Sequence, residues 1–258
     1  MTKPILCVIF LLVTHLVLPA QRSWAWKFML SDHGKVLDLS GQNLRQVPTD
    51  QLDKDVEVLI LDDNNIRDFP LFFPTYCPRL KVLSLRNNCL TQIPDRLGHS
   101  TGLQELYLDG NAIERLPASI VGLRFLTKLS LEHNLISDLS SVLKHLPQLE
   151  ALYVGNNLLA EIPDEIGQLA ELNALFAADN LLGKVSDALE RCKKLRHLDL
   201  SYNHQLRRIP DGLGQCTSLR TLDLRRTSVF GPLKWIVDLP DLDVYHPPSK
   251  GVTTTKSP

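Results

Sequence analysis

His133 beside Glu132 is the one pairing in this chain of 258 residues whose types and adjacency suggest acid–base chemistry. No nucleophile or second base lies near it in the sequence, and the eight histidines are scattered. A general base with nothing to activate has no reaction to run. Asp238, Asp241 and Asp243 could in principle hold a hard cation, but they lack the ligand order and turn glycine of a calcium loop, so they read as solvated acids. The chain has no phosphate-binding glycine loop, no G-x-S-x-G elbow, no H-E-x-x-H and no C-x-x-C. No catalytic residue, metal ligand or cofactor is expected. Lys plus Arg total 28 and Asp plus Glu 29, a formal net charge of -1, so no field of one sign attracts nucleic acid or anionic lipid.

What remains is recognition, and the elements that would position it are written as a repeat. Aligned on L-x-L-x-x-N-x-L, nine units begin at Leu37, Leu59, Leu83, Leu106, Leu129, Leu152, Leu175, Leu198 and Leu222, in steps of 22, 24, 23, 23, 23, 23, 23 and 24 residues. The period-two alternation in L-x-L predicts a short strand per unit, with one face in a core and the other outside. Later apolar positions such as Leu159, Ile162, Ile166 and Leu169 fill the space behind the strands. No unit can bury these alone, so neighbours must stack.

Asn64, Asn88, Asn111, Asn134, Asn157, Asn180 and Asn203 occupy the sixth motif position, where an amide can satisfy backbone groups freed as the strand ends. Gln42 and Thr227 replace them in the first and last units, which places the end of the array within the chain. Pro48, Pro70, Pro94, Pro117, Pro163 and Pro210 follow the apolar residue that opens the outer segment. Lacking an N–H, proline suits a turn or the first turn of a short helix. Extra residues within 69–80 and 203–206 predict local bulges.

From about Gly34 to Val229 this pattern resembles the leucine-rich repeat family, and the segment Ile162-Pro163-Asp164-Glu165-Ile166-Gly167-Gln168-Leu169 is similar to the intracellular Ras-associated and Scribble-type members. The resemblance implies an α/β solenoid of about nine repeats, with a parallel sheet on the concave side and short helical or 3-10 segments on the convex side. It implies a binding scaffold and carries over no functional residue.

Outward strand positions form columns on the concave face. The residue between the two leucines runs Asp38, Ile60, Ser84, Tyr107, Ser130, Tyr153, Phe176, Asp199, Asp223, and two residues further on it runs Ser40, Asp62, Arg86, Asp109, Glu132, Gly155, Ala178, Ser201, Arg225. Tyr153 and Phe176 thus lie among Ala151, Gly155, Ala174 and Ala178, with Tyr107, Glu132, His133, Asn156, Asp179 and Tyr202 in range. Exposed aromatics bordered by small residues suit the centre of an interface, and these eight form the candidate site for a protein ligand. The plainer reading is that aromatics merely favour strands. Asp62, Asp63, Asp109 and Glu132 could add an acidic rim that selects a partner with Lys or Arg.

The ends bear on compartment. Residues 1–25 read as a signal peptide or hydrophobic leader: Lys3, an apolar run from Ile5 to Val13, then Leu16 to Leu18 and small residues at Ala20, Ser23 and Ala25, with cleavage after Ala25 fitting best. Uncleaved, it would be the only route to a membrane. Residues 26–35, with Trp26 and Phe28, form an N-terminal cap or else an anchor for a membrane or partner; 36–229 are the repeats, 230–245 a C-terminal cap closed by Trp235, and 246–258 a flexible tail.

Cys77, Cys192 and Cys216 stand where other units place leucine, so they read as small buried hydrophobes, and a Cys192–Cys216 bridge in adjacent units stays open. Secreted members of the resembled family commonly carry clustered cap cysteines, which are lacking here, as are Asn-x-Ser/Thr acceptors. The leader therefore points to a secreted or luminal scaffold, while the cysteines point to a cytosolic adaptor or a regulatory or substrate-recognition subunit.

Overall fold

The computed structural model describes residues 34–68, 70, 73–230 and 233–245. The expected leader, the tail and most of the N-terminal cap lie outside these residues. Every L-x-L segment forms a strand: β1 (Lys35–Asp38), β2 (Val56–Ile60), β3 (Val82–Ser84), β4 (Glu105–Tyr107), β5 (Lys128–Ser130), β6 (Ala151–Tyr153), β8 (Ala174–Phe176), β10 (His197–Asp199) and β11 (Thr221–Asp223). A tenth strand, β12 (Asp243–Tyr245), continues the same parallel sheet in the order β1-β2-β3-β4-β5-β6-β8-β10-β11-β12. Register is uniform across the centre, with Leu129 opposite Leu152 and Leu152 opposite Leu175.

Lys35, assigned to the N-terminal cap, lies within β1. Residues 230–245 do more than close the array, because β12 pairs with β11 and adds a tenth rung. Leu239 and Leu242 keep the core register and are 3% and 2% exposed, and Trp235 packs inward as expected. A second, two-stranded sheet was not expected: β7 (Glu161–Ile162) pairs with β9 (Lys184–Val185).

The convex side is built from single turns. Four prolines immediately precede 3-10 helices: Pro94 before Asp95–His99, Pro117 before Ala118–Gly122, Pro163 before Asp164–Gln168 and Pro210 before Asp211–Gln215. Their φ values of -66°, -72°, -79° and -60° are those the pyrrolidine ring enforces. In the seventh repeat Ser186 takes this place, and its hydroxyl accepts the Ala188 N–H before the helix Asp187–Arg191. α1 (Phe73–Tyr76) and α2 (Ser140–Leu143) are the α-helical exceptions. The insertion at 203–206 resolves as a tight turn, with the Leu206 N–H donating to the Asn203 carbonyl at 3.1 Å.

Between sheet and convex turns runs one continuous core, from Leu39 to Leu242. The asparagine ladder seals its edge. Asn157 shows the pattern: Nδ2 donates to the carbonyls of Val154 and Gly155 in its own turn and of Leu131 in the preceding repeat, while Oδ1 accepts the Ile136 N–H at 2.9 Å. Each remaining ladder amide likewise accepts a backbone N–H from the repeat before it. In the ninth repeat Thr227 donates to the Leu224 carbonyl at 2.7 Å and so keeps part of the device.

The turn that delivers each ladder residue needs left-handed backbone. Asp63, Asn87, Gly110, His133, Asn156, Asp179, Tyr202 and Arg226, each one residue before the ladder position, have φ between 51° and 66°. Gly, Asn, Asp and, less readily, His tolerate this conformation; for Tyr and Arg it costs more.

Candidate functional site

Alternation along β6 and β8 turns Leu152 and Leu175 into the core and presents Tyr153 and Phe176 on the concave face. The uniform register sets the two aromatics directly side by side. Their rings are parallel to within 3°, with centroids 5.1 Å apart. Beside them Ala151 and Ala174 are nearly buried. A Cβ on Gly155 would stand 3.3 Å from both the Ala178 carbonyl oxygen and Glu132 Oε1, so the glycine lets the Glu132 carboxylate lie across it. The result is a flat aromatic shelf on a floor of small residues.

On either side of this shelf the concave charges are matched to one another. Toward the N-terminus Arg86 Nε donates to Asp109 at 2.7 Å, and the guanidinium lies 4.2 Å from the centre of the Tyr107 ring. The Tyr107 hydroxyl donates to Glu105, which also receives Lys128 Nζ. Burial and the neighbouring Glu105 push the Tyr107 phenol well above its ordinary value. Toward the C-terminus Arg225 folds back on Asp223 and faces the Tyr245 ring at 5.7 Å. His197, within 2.9 Å of Thr221 Oγ1, has its pKa lowered by burial and by Arg196.

Of the eight sequence-selected residues, the fold brings Tyr153 and Phe176 into contact and places Glu132 beside them. His133, Asn156, Asp179 and Tyr202 line the turn row next to the shelf, all exposed and all left-handed, with Asn156 Nδ2 donating to Asp179 Oδ2 at 3.0 Å. Tyr107 is held instead by Arg86 and Glu105.

The acidic rim is corrected. Asp62 is 5% exposed and accepts from the Ser84 hydroxyl and the Arg86 N–H, so its carboxylate braces the next strand. Burial raises its pKa to about 6 against the opposing effect of those bonds and of the Arg86 charge. Asp109 repeats the device with the Ser130 hydroxyl and the Glu132 N–H. Of the four, Asp63 is the exposed acid, with Asn87 Nδ2 at 2.8 Å.

Cys77, Cys89, Cys192 and Cys216 are free thiols, and Cys77, Cys192 and Cys216 are buried in the leucine register, with no bridge between the last two. Each of the latter two donates to a carbonyl of the preceding repeat, Ile166 and Leu189 respectively. Burial drives their pKa values up to about 12 and about 11. Among the described residues no group of three or more His, Cys, Asp or Glu is placed to hold a metal ion, and no helix is long and apolar enough to cross a membrane.

Sequence reading missed one surface. Leu135, Leu158 and Leu181, each directly after a ladder asparagine, are 43%, 44% and 48% exposed. The signal was an apolar residue at one outward position in three successive units.

Two family models match, both described as leucine rich repeat, one over residues 54–113, 78–136 and 101–159 and the other over 194–216. No curated protein matches the sequence. Among solved structures, a leucine-rich repeat protein of Leptospira interrogans is 29% identical with a TM-score of 0.75, over 81% of this chain and 54% of its own. A plant peptide hormone receptor, solved in complex with RGF2, is 27% identical with a TM-score of 0.63, over 82% and 39%. An internalin C2 of Listeria monocytogenes, 20% identical with a TM-score of 0.60 over 82% and 80%, shares the fold. The chain thus spans about half the length of the Leptospira protein and less of the plant receptor.

Proposed function

Because this chain belongs to the leucine-rich repeat family, whose fold commonly serves as a scaffold for protein–protein interaction, we propose that it is a non-catalytic scaffold that holds a protein ligand on its concave face. The observation that carries the reading is the Tyr153–Phe176 shelf. Neighbouring charges already satisfy one another, which leaves the shelf and its floor of small residues as the part of the face with area to offer a partner. Aromatic anchors on such a floor supply contact area at low entropic cost. Glu132, His133, Asn156, Asp179 and Tyr202 supply the polar border, and Tyr107 marks its N-terminal limit. The peptide-bound plant receptor is in keeping with a protein or peptide ligand.

The test is to immobilise the chain, recover its partner from source tissue and measure affinity for variants. Tyr153→Ala and Phe176→Ala should each weaken binding by about 2 kcal/mol. Phe125→Ala, a control for an exposed ring away from the concave strands, should leave it unchanged. Equal affinity in all three would reject the concave site.

We infer from the hydrophobic leader of residues 1–25 that the scaffold enters the secretory pathway, with a mature start at Trp26. A second reading, a cytosolic adaptor or a regulatory or substrate-recognition subunit, is favoured by the free exposed thiol of Cys89 and the unbridged Cys192 and Cys216. Sequencing the N-terminus of the protein purified from its source decides between them: Trp26 supports secretion, and an intact Met1 in the cytosolic fraction supports the adaptor.

A further inference from the structure

Leu135, Leu158 and Leu181 stand in register on the fifth, sixth and seventh repeats, on the flank of the solenoid past the concave rim. Their N–H groups donate to Ile113, Ile136 and Leu159 at 2.9, 2.9 and 3.0 Å, so the three side chains stack at the strand spacing of about 4.8 Å. Alternation buries Ile136, Leu159 and Leu182 and brings the next residues, Ser137, Ala160 and Gly183, out beside the leucines. The same two positions in the second repeat hold Asn65 and Arg67. The third repeat holds Cys89 and Thr91 and the fourth Ala112 and Glu114, so the ridge of leucines with its trough of small residues begins at the fifth repeat and runs through the sixth and seventh, which carry the aromatic shelf.

The fold does not require this trough. A Cβ built on Gly183 meets nothing within 4 Å, and its backbone is not left-handed. The small side chain serves the surface rather than the packing beneath it.

We propose that the ridge and trough seat an amphipathic α-helix of a partner protein, with its axis along the stack of repeats. Successive helical turns rise about 5.4 Å, close to the spacing of the leucines, so apolar residues at i, i+4 and i+7 drop between them over two turns. Asp138, which accepts from Ser140, and Asp179, which accepts from Asn156, put two acids on the border, while Glu161 is paired with Lys184 at 3.8 Å. The complementary helix flanks its apolar face with Lys or Arg. A second copy of this chain is a poor occupant: a stable interface buries about 800 Å² on each partner, far more than three half-exposed leucines and their trough provide.

The probe is a labelled peptide of about 15 residues with leucines at helical spacing and lysines on both flanks, titrated against the full chain. Saturable binding with a gain of helical circular dichroism is expected. It should weaken at least tenfold in Leu158→Glu and in Gly183→Arg, the latter a change the fold accommodates freely, and persist in Tyr153→Ala. A control peptide of the same composition with the helical period scrambled should not bind. Absence of saturation to about 1 mM, equal binding of the scrambled peptide, or indifference to Gly183→Arg overturns the proposal. Loss of binding in Tyr153→Ala alone moves the peptide to the concave face, which rejects the flank and leaves the concave reading standing. Concentration-dependent dimerisation abolished by Leu158→Glu replaces the helix with a second copy.

Discussion

The Tyr153 and Phe176 rings lie parallel across two adjacent strands, 5.1 Å between centroids and 3° between planes. Such a pair contributes about 0.5–1.5 kcal/mol beyond the area it buries, so each ring holds the other in the orientation a ligand would meet. Binding measured for both single variants and the double Tyr153→Ala/Phe176→Ala should therefore be non-additive, with the double losing about 1 kcal/mol less than the sum. Strict additivity would show that each ring acts alone and that the stacking carries no functional weight.

Asn157 makes four hydrogen bonds that span two repeats. Alanine there leaves backbone groups of both turns unpaired in a position 6% exposed, at a cost of about 1–3 kcal/mol. Urea unfolding should show the midpoint fall. An unchanged midpoint would mean that water replaces the amide, and the ladder would lose its structural role.

How much of this was legible follows from how local each signal is. The L-x-L spacing placed nine strands, and four of the six prolines marked where convex helices start, because both depend on the residue and its immediate neighbours. The tenth strand escaped notice because Asp243-Val244-Tyr245 has valine in the leucine register and no ladder asparagine after it, although Leu239 and Leu242 keep the spacing. Tyr153 and Phe176 could be found because alternation alone turns them outward. Asp62 occupies an equally outward column, but its burial depends on Ser84 and Arg86, 22 and 24 residues later, and no local pattern reports that. The exposed leucines were hidden by composition: in a chain this rich in leucine, another leucine reads as core.

Asp62 predicts a pH dependence with a definite sign. Its pKa in the fold is about 6, against about 3.9 for an unfolded chain, so between those values the folded state binds more protons. Stability contributed by this group falls as pH rises from about 4 to 6 and is then level. Asp62→Asn, which can still accept from Ser84 and the Arg86 N–H, removes that slope. The variant should gain stability over the parent above pH 6, by up to about 3 kcal/mol. Asp53 and Glu57, whose values are lowered through Lys35 and Lys81, contribute a slope of the opposite sign at lower pH. The difference between variant and parent, measured by urea unfolding at pH 4.5 and 7, isolates Asp62. Parallel curves would mean that the carboxylate is ionised in the fold at both pH values.

Tyr202 presents the clearest conflict between fold and surface. Its φ of 58° is imposed by the turn, in which its N–H donates to the Arg225 carbonyl at 2.8 Å and Asn203 follows into the ladder. An L-residue in that conformation costs roughly 1–2 kcal/mol, an expense that asparagine lessens through local hydrogen bonding. Asn87 and Asn156 already occupy the equivalent turn in other repeats. The Tyr202 ring is 49% exposed, so it recovers only part of that cost by packing. Tyr202→Asn should accordingly raise stability by about 0.5–1 kcal/mol. If the tyrosine is kept for its ring, the same substitution weakens the concave ligand, and stability and affinity move in opposite directions. His133→Asn, at an equivalent turn in the fifth repeat, provides the comparison. A Tyr202→Asn protein that melts below the parent would show that the ring packs more tightly than its exposure suggests, and the case for a residue held under strain for binding would fail.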